Sequence, residues 1–264
     1  MTQPPIATTP DRNERARLRQ RAEALKLAGL LEHWDELNDE QLKQLAQWFD
    51  WEEHSRRERG LERRMGAAQL GNFKPISDFD WSWPVHCDKG AINELMNLEF
   101  IDTATNVIFV GPNGVGKSTL AQNLAYRALL QGHRALFVTA AKMLGDLTAQ
   151  DGAAALQRRL RYYTRPDILV IDELGYLSYS DRHADLLFEI VNRRYEQKPI
   201  VITTNRPFSE WGEVFPNAPC VISIIDRLVH HSEIQSIDAE SYRMHEATQR
   251  ASKKKVRKPR GKKP

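Results

Sequence analysis

Only two cysteines, Cys87 and Cys220, occur in 264 residues. They stand far apart and match no spacing used for metal ligation or redox exchange. Two reduced thiols are the expectation for a cytoplasmic protein, since disulfides follow oxidising compartments. No apolar run approaches the roughly 18 residues that a membrane span requires. The first ten residues, MTQPPIATTP, are polar and proline-rich, without the apolar core of an export signal. No internal repeat is visible. One stretch lacks acids altogether: from residue 253 onward come Lys253, Lys254, Lys255, Arg257, Lys258, Arg260, Lys262 and Lys263. Without those eight charges the net +3 of the chain becomes −5 for the remainder. A like-charged block with prolines cannot pack, so residues 251–264 are expected to be disordered. Such an arm either contacts a polyanion, releasing counterions, or merely aids solubility.

What is present divides into regions. With 41% hydrophobic and 28% charged residues the bulk of the chain has the composition of a folded globular protein. Residues 1–15 read as disordered and 16–70 as a small all-helical domain. Leu42, Leu45, Ala46 and Phe49 recur at helical spacing, behind an Asn38/Gln41 pair that resembles a capping box. An earlier helix carries Leu18, Ala22 and Leu25, followed by Leu27, Leu30, Leu31 and Trp34. A third, strongly basic helix is expected from Arg56, Arg57, Arg59, Arg63 and Arg64. Gly71-Asn72 and Lys74-Pro75 then break the pattern as a linker.

Over residues 71–250 the pattern becomes strands alternating with helices. Short β-branched apolar runs lie at 106–110, 134–139, 167–171 and 199–204, with a weaker one at 233–237. Helical stretches at 118–131, 140–147 with 153–163, and 181–195 separate them. Continuous apolar strands joined by helices predict a parallel five-stranded sheet covered on both faces, an α/β fold.

The first strand runs into Gly111-Pro112-Asn113-Gly114-Val115-Gly116-Lys117-Ser118-Thr119, which satisfies G-x-x-x-x-G-K-[ST] between strand and helix. Glycines let successive N–H groups curl toward phosphates, and the helix N-terminus adds its dipole. Lys117 is expected to reach the β- and γ-phosphates of ATP, and Ser118 to offer its hydroxyl to Mg²⁺. The third strand ends in Asp172-Glu173. There Asp172 would hold Mg²⁺ through its water shell and Glu173 would polarise the attacking water.

The fourth strand ends in Thr203-Thr204-Asn205-Arg206. Asn205 is the candidate sensor of the γ-phosphate or lytic water, with Thr204 as the lesser candidate; the alternative is a turn-forming Asn before Arg206-Pro207. Arg227, after the apolar run 221–225, suits a finger reaching a neighbouring subunit's γ-phosphate, or else a local salt bridge with Asp226.

In this order the motifs resemble the AAA+ ATPases. More narrowly, 171–176 (IDELGY), 202–206 (ITTNR), 225–231 (IDRLVHH) and 240–243 (ESYR) resemble IstB-type transposition helpers, relatives of DnaC-type helicase loaders. The resemblance spans roughly Leu18 to Arg243. It implies an AAA+ P-loop ATPase that assembles as a ring or helical filament on duplex DNA, deforms it, and recruits or stimulates a partner transposase. It also implies that the paired helices over 140–163, with Lys142, Arg158, Arg159 and Arg161, track DNA. An ordinary solvated helix face is the alternative there. The N-terminal arginines Arg56, Arg57, Arg63 and Arg64 are equally good phosphate contacts. Two departures stand out. The loop has Ser118 where many members have Thr, and only 26 residues follow Asp238, so a helical lid is expected to be truncated or absent. Arg243 is then the sole candidate for a lid-type sensor.

Transporter-type ABC ATPases share the loop, but only 55 residues separate Lys117 from Asp172 and no Leu-Ser-Gly-Gly-Gln signature intervenes. A small-molecule kinase would leave the Arg227 motif and the basic N-terminal helix unexplained. A helicase loader acting on single strands is the remaining rival. The base pocket is not located by any motif; the aromatic linker 79–83 is its candidate.

Overall fold

The computed structural model describes residues 12–176, 179–216 and 219–242. Contacts within the chain gather into two compact units parted between Arg63 and Arg64.

The first unit is helical: α1 (Arg12–Ala24), α2 (Ala28–Glu32) and most of α3 (Asp39–Ala68). Helix α1 begins at Arg12, inside the stretch 1–15 expected to be disordered, with Glu14 favourably placed against the helix N-terminus. Leu18, Ala22, Leu25, Trp34, Leu42, Leu45 and Phe49 form its core, as their spacing predicts. The capping box is made in both directions: Asn38 Oδ1 accepts from Gln41 N–H and Gln41 Oε1 from Asn38 N–H, each at 2.9 Å. The basic segment is not a third helix of its own. It is the C-terminal half of the 30-residue α3, which runs through Gly66 without a break. Nothing between Phe49 and Arg56 stops a helix, and the Glu52–Arg56 pair at 2.5 Å supports it one turn apart.

The second unit carries α4 (Lys89–Leu95), α5 (Glu99–Asp102), β1 (Asn106–Val110), α6 (Lys117–Leu130), β2 (Ala135–Thr139), α7 (Ala140–Thr148) and α8 (Ala153–Thr164). After these come β3 (Ile168–Leu174), α9 (Asp181–Arg194), β4 (Ile200–Thr204), α10 (Trp211–Val214), α11 (Val221–His230) and β5 (Ser232–Ser236). The five strands form one parallel sheet in the order β2-β3-β4-β1-β5. Strands β1, β3 and β4 are buried along nearly their whole length, which is why they read as unbroken apolar runs. Strand β3 extends past its two acids to Leu174, and its register with β4 shifts between Ile171 and Leu174. Because β1, β3 and β4 run parallel, their carboxyl ends and the three loops that follow lie at one end of the sheet. Among the described residues no helix is long and apolar enough to cross a membrane.

Arg194 staples the opposite end. Its guanidinium is 1% exposed and donates to four carbonyls, those of Thr164, Pro166, Asp167 and Pro199, at 2.6–3.1 Å. These close the end of α8 and the starts of β3 and β4 with one side chain. Burial brings its pKa down to about 9, against the pull of the Asp167 charge.

Candidate nucleotide site

The loop after β1 folds as its glycines require. Gly116 adopts φ +104°, and a Cβ there would stand 2.6 Å from the Phe79 ring, so only glycine lets that ring lie against the loop. At Gly111 a Cβ would meet the Ile237 carbonyl oxygen at 2.0 Å, where the chain leaving β5 crosses the loop. Helix α6 starts directly at Lys117, so its N-terminus faces the loop. Lys117 is 7% exposed and donates to the Gly111 and Pro112 carbonyls at 2.7 and 2.6 Å.

Ser118 and the acids of β3 meet behind this loop. Asp172 is 5% exposed, and its Oδ1 accepts from the Ser118 hydroxyl at 2.8 Å and from the Thr203 hydroxyl at 2.5 Å. The Thr203 oxygen in turn accepts from the Glu173 N–H at 2.9 Å. Glu173 has φ +60°, a left-handed backbone uncommon outside glycine, and its side chain is exposed. Thr203 was not singled out by the sequence; a polar residue inside a fully buried strand beside the acidic one was the available signal. Thr204, the lesser sensor candidate, instead exchanges hydrogen bonds with the backbone of Arg206 and builds the turn. Asn205 lines the same cavity, and its Oδ1 is buried with no hydrogen-bond partner among the described residues.

The cavity measures about 650 Å³ and also receives Phe73, Phe79, Trp83 and Tyr242. It therefore has a polar end at the loop and acids, and an aromatic end at the linker. The segment after β5 encloses it. The Asp238 carbonyl accepts from the N–H groups of Val85 and His86, Trp83 Nε1 donates to the Glu240 carbonyl at 2.8 Å, and Tyr242 N–H reaches the Gly114 carbonyl at 3.1 Å. Arg243 lies outside the described residues. Tyr179, near Glu173, has its phenol pushed up to about 12 by burial and by the Glu173 charge.

The donor set fits a magnesium-bound nucleoside triphosphate. Ser118 and Asp172 supply the hard oxygen atoms that Mg²⁺ prefers. The unpartnered Asn205 oxygen and the Lys117 ammonium, both lining the cavity, suit a hydrated polyphosphate.

Arg227 does not line this cavity in its own chain. It lies on α11 with its guanidinium 4.9 Å from the Phe188 ring centroid and 6.0 Å from that of Tyr195, and it makes no ion pair with Asp226. The basic candidates fall into two groups. Arg159 is held against Asp146 and over the rings of Tyr162 and Tyr163. Arg64 donates to the Leu129 carbonyl, Lys142 to Gln69, Arg56 to Glu52 and the Leu25 carbonyl, and Arg57 to the Glu53 carbonyl. Arg63, Arg158 and Arg161 are exposed on their helices.

The chain is similar to known proteins. The model of the IstB-like ATP binding protein family matches residues 20–250. The ATP-binding protein of insertion sequence IS5376 from Geobacillus stearothermophilus is 36% identical over 197 residues, 75% of this chain and 78% of that protein. That of insertion sequence IS21 from Pseudomonas aeruginosa is 36% identical over 211 residues, 80% of this chain and 79% of that protein. Among solved structures, DnaI superposes with a TM-score of 0.51 at 19% identity over 65% of this chain and 90% of its own, a likeness of fold.

Proposed function

Because the chain belongs to the family of IstB-like ATP-binding proteins, we propose that it is an ATP-dependent AAA+ regulator of DNA transposition, acting in the cytoplasm. In this reading it assembles on duplex DNA, remodels it, and recruits or stimulates a partner transposase. The observation that carries the reading is the hydrogen-bonded set Ser118–Asp172–Thr203–Glu173 at the end of a cavity large enough for a nucleotide.

When bound, Mg·ATP supplies the phosphoanhydride to be hydrolysed. Lys117 and the loop amides bind and orient the phosphates. Ser118 and Asp172 would hold a Mg²⁺ ion, which would neutralise phosphate charge. Glu173 takes the proton from the attacking water, and Asn205 Oδ1 accepts a hydrogen bond that orients this water. The aromatic end of the cavity, at Phe79 and Trp83, takes the base. Arg227 does not line its own chain's cavity, which is compatible with a role at a neighbouring subunit's site, where a guanidinium stabilises transition-state charge. Exposed Arg63, Arg158 and Arg161 are the candidates for phosphate contacts along DNA, with Arg56, Arg57, Arg64, Lys142 and Arg159 engaged locally unless assembly frees them. ATP favours the assembled state only by binding it more tightly than the free subunit.

The test is binding to duplex and single-stranded DNA of equal length, with and without a non-hydrolysable ATP analogue, reading assembly size. Analogue-dependent multimers on duplex are expected. A preference for single strands would instead point to a helicase loader.

A further inference from the structure

We propose that Glu196, His230 and His231 form a binding site for a divalent transition-metal ion of the zinc class. Among the described residues they are the one group of three or more metal-ligating side chains whose donor atoms converge, all within 4.8 Å of one another. The group lies outside the nucleotide cavity, where α11 ends and β5 begins.

The backbone brings the donors together. Glu196 follows α9 in a left-handed turn, φ +55°. His230 is the last residue of α11, and His231 is tied to the sheet because its carbonyl accepts from Asn106 N–H at 2.8 Å. The two imidazole centroids are 4.1 Å apart. His231 Nε2 stands 3.4 Å and His230 Nδ1 3.9 Å from the same Glu196 oxygen. Zinc bonds nitrogen and carboxylate oxygen at about 2.0–2.2 Å, so tetrahedral donors sit about 3.3 Å apart. The two nitrogen-to-carboxylate distances, 3.4 and 3.9 Å, lie close to that spacing, and all three side chains are exposed. The Tyr195 hydroxyl hydrogen-bonds His230 Nδ1 at 2.8 Å, and water would complete the coordination of a bound ion.

The chemistry selects the ion. Two imidazoles with one carboxylate suit zinc, cobalt or nickel, whereas magnesium demands oxygen donors of the kind Ser118 and Asp172 provide. The other histidine–glutamate pairs, His33–Glu36 and His54–Glu58, offer two donors each and lack the third. An ion held here bridges the end of α11 to the turn after α9, beside the Tyr195 ring that Arg227 overlies. It would fasten the helix that carries Arg227.

The experiment titrates Co²⁺ into the chelator-treated, nucleotide-free full chain, followed by its d–d absorption, and then displaces it with Zn²⁺. One ion per chain, with the intense absorption of a nitrogen-containing tetrahedral site, is expected. H231A and E196Q, both at exposed positions and checked for retained circular dichroism, should each weaken binding at least about tenfold, as loss of a ligand requires. H54A should leave it unchanged. Absence of stoichiometric binding, or binding with undiminished affinity in both H231A and E196Q, would overturn the assignment. A weak octahedral spectrum abolished by D172N would overturn it equally, by placing the ion at the nucleotide site.

Discussion

The Thr203 hydroxyl donates to Asp172 Oδ1 at 2.5 Å while accepting from the Glu173 N–H at 2.9 Å. One side chain on β4 thus orients the carboxylate facing Ser118 and holds the next residue in its left-handed backbone. Removing the hydroxyl without changing shape should therefore disturb turnover more than binding. Thr203→Val is expected to slow ATP hydrolysis on the order of tenfold or more, with nucleotide affinity nearly kept, and Thr203→Ser to restore most of the rate. A rate unchanged in Thr203→Val, measured at saturating ATP and Mg²⁺, would remove Thr203 from the arrangement.

Glu173 is exposed at the cavity end, unlike the buried Asp172. Glu173→Gln should still bind ATP but hydrolyse it about a hundredfold more slowly, the scale of losing a positioned base. Lys117→Ala should abolish binding itself. Equilibrium binding and phosphate release, measured on both variants, separate the two roles.

Arg227 serves a shared site in the proposed assembly. Arg227→Ala and Lys117→Ala should each be inactive alone, yet regain partial ATP hydrolysis when mixed, because some interfaces then pair an intact loop with an intact arginine. No recovery at any mixing ratio would count against action across subunits.

Arg194 should matter for stability alone. Arg194→Met strands the carbonyls of Thr164, Pro166, Asp167 and Pro199. Only the Pro199 acceptor is fully buried, and one buried acceptor left unpaired costs about 1–3 kcal/mol, so a loss of at least about 1 kcal/mol is expected from the urea midpoint.

Asp167 gives the acid limb a specific cause. Burial would raise its pKa, but hydrogen bonds from the Arg134 side chain and N–H outweigh that and hold the carboxyl below its ordinary 3.8. A depressed carboxyl binds fewer protons folded than unfolded, so its contribution is complete above the unfolded value and is lost as pH falls through the folded one. Arg134→Met should flatten the loss of stability below about pH 4. An unchanged slope in acid denaturation would remove this pair as its source.

Much of the architecture was legible because it is written in short-range patterns. The buried β1, β3 and β4 announce themselves as apolar runs, the capping box at Asn38 lies within four residues, and the glycines from Gly111 to Gly116 mark the turn between β1 and α6. The length of α3 was not legible, since charged residues on a solvated helix carry no apolar period to bridge Phe49 and Arg56.

Local order along the chain was enough for the fold class and the family, and to single out 111–119 with Asp172 and Glu173 as candidates, because each depends on neighbours in sequence. Only tertiary structure decided which hydroxyl meets Asp172, that Thr204 builds a turn while Thr203 faces the acid, and that Trp83 and Tyr242 join one cavity from opposite ends of the domain. It likewise decided that Arg64 and Arg159 are engaged while Arg158 and Arg161 are exposed, and that Glu196 meets His230 and His231. Those facts depend on strand register and on contacts across tens to hundreds of residues, where a shift of one position exchanges the residue facing the site for the one facing away.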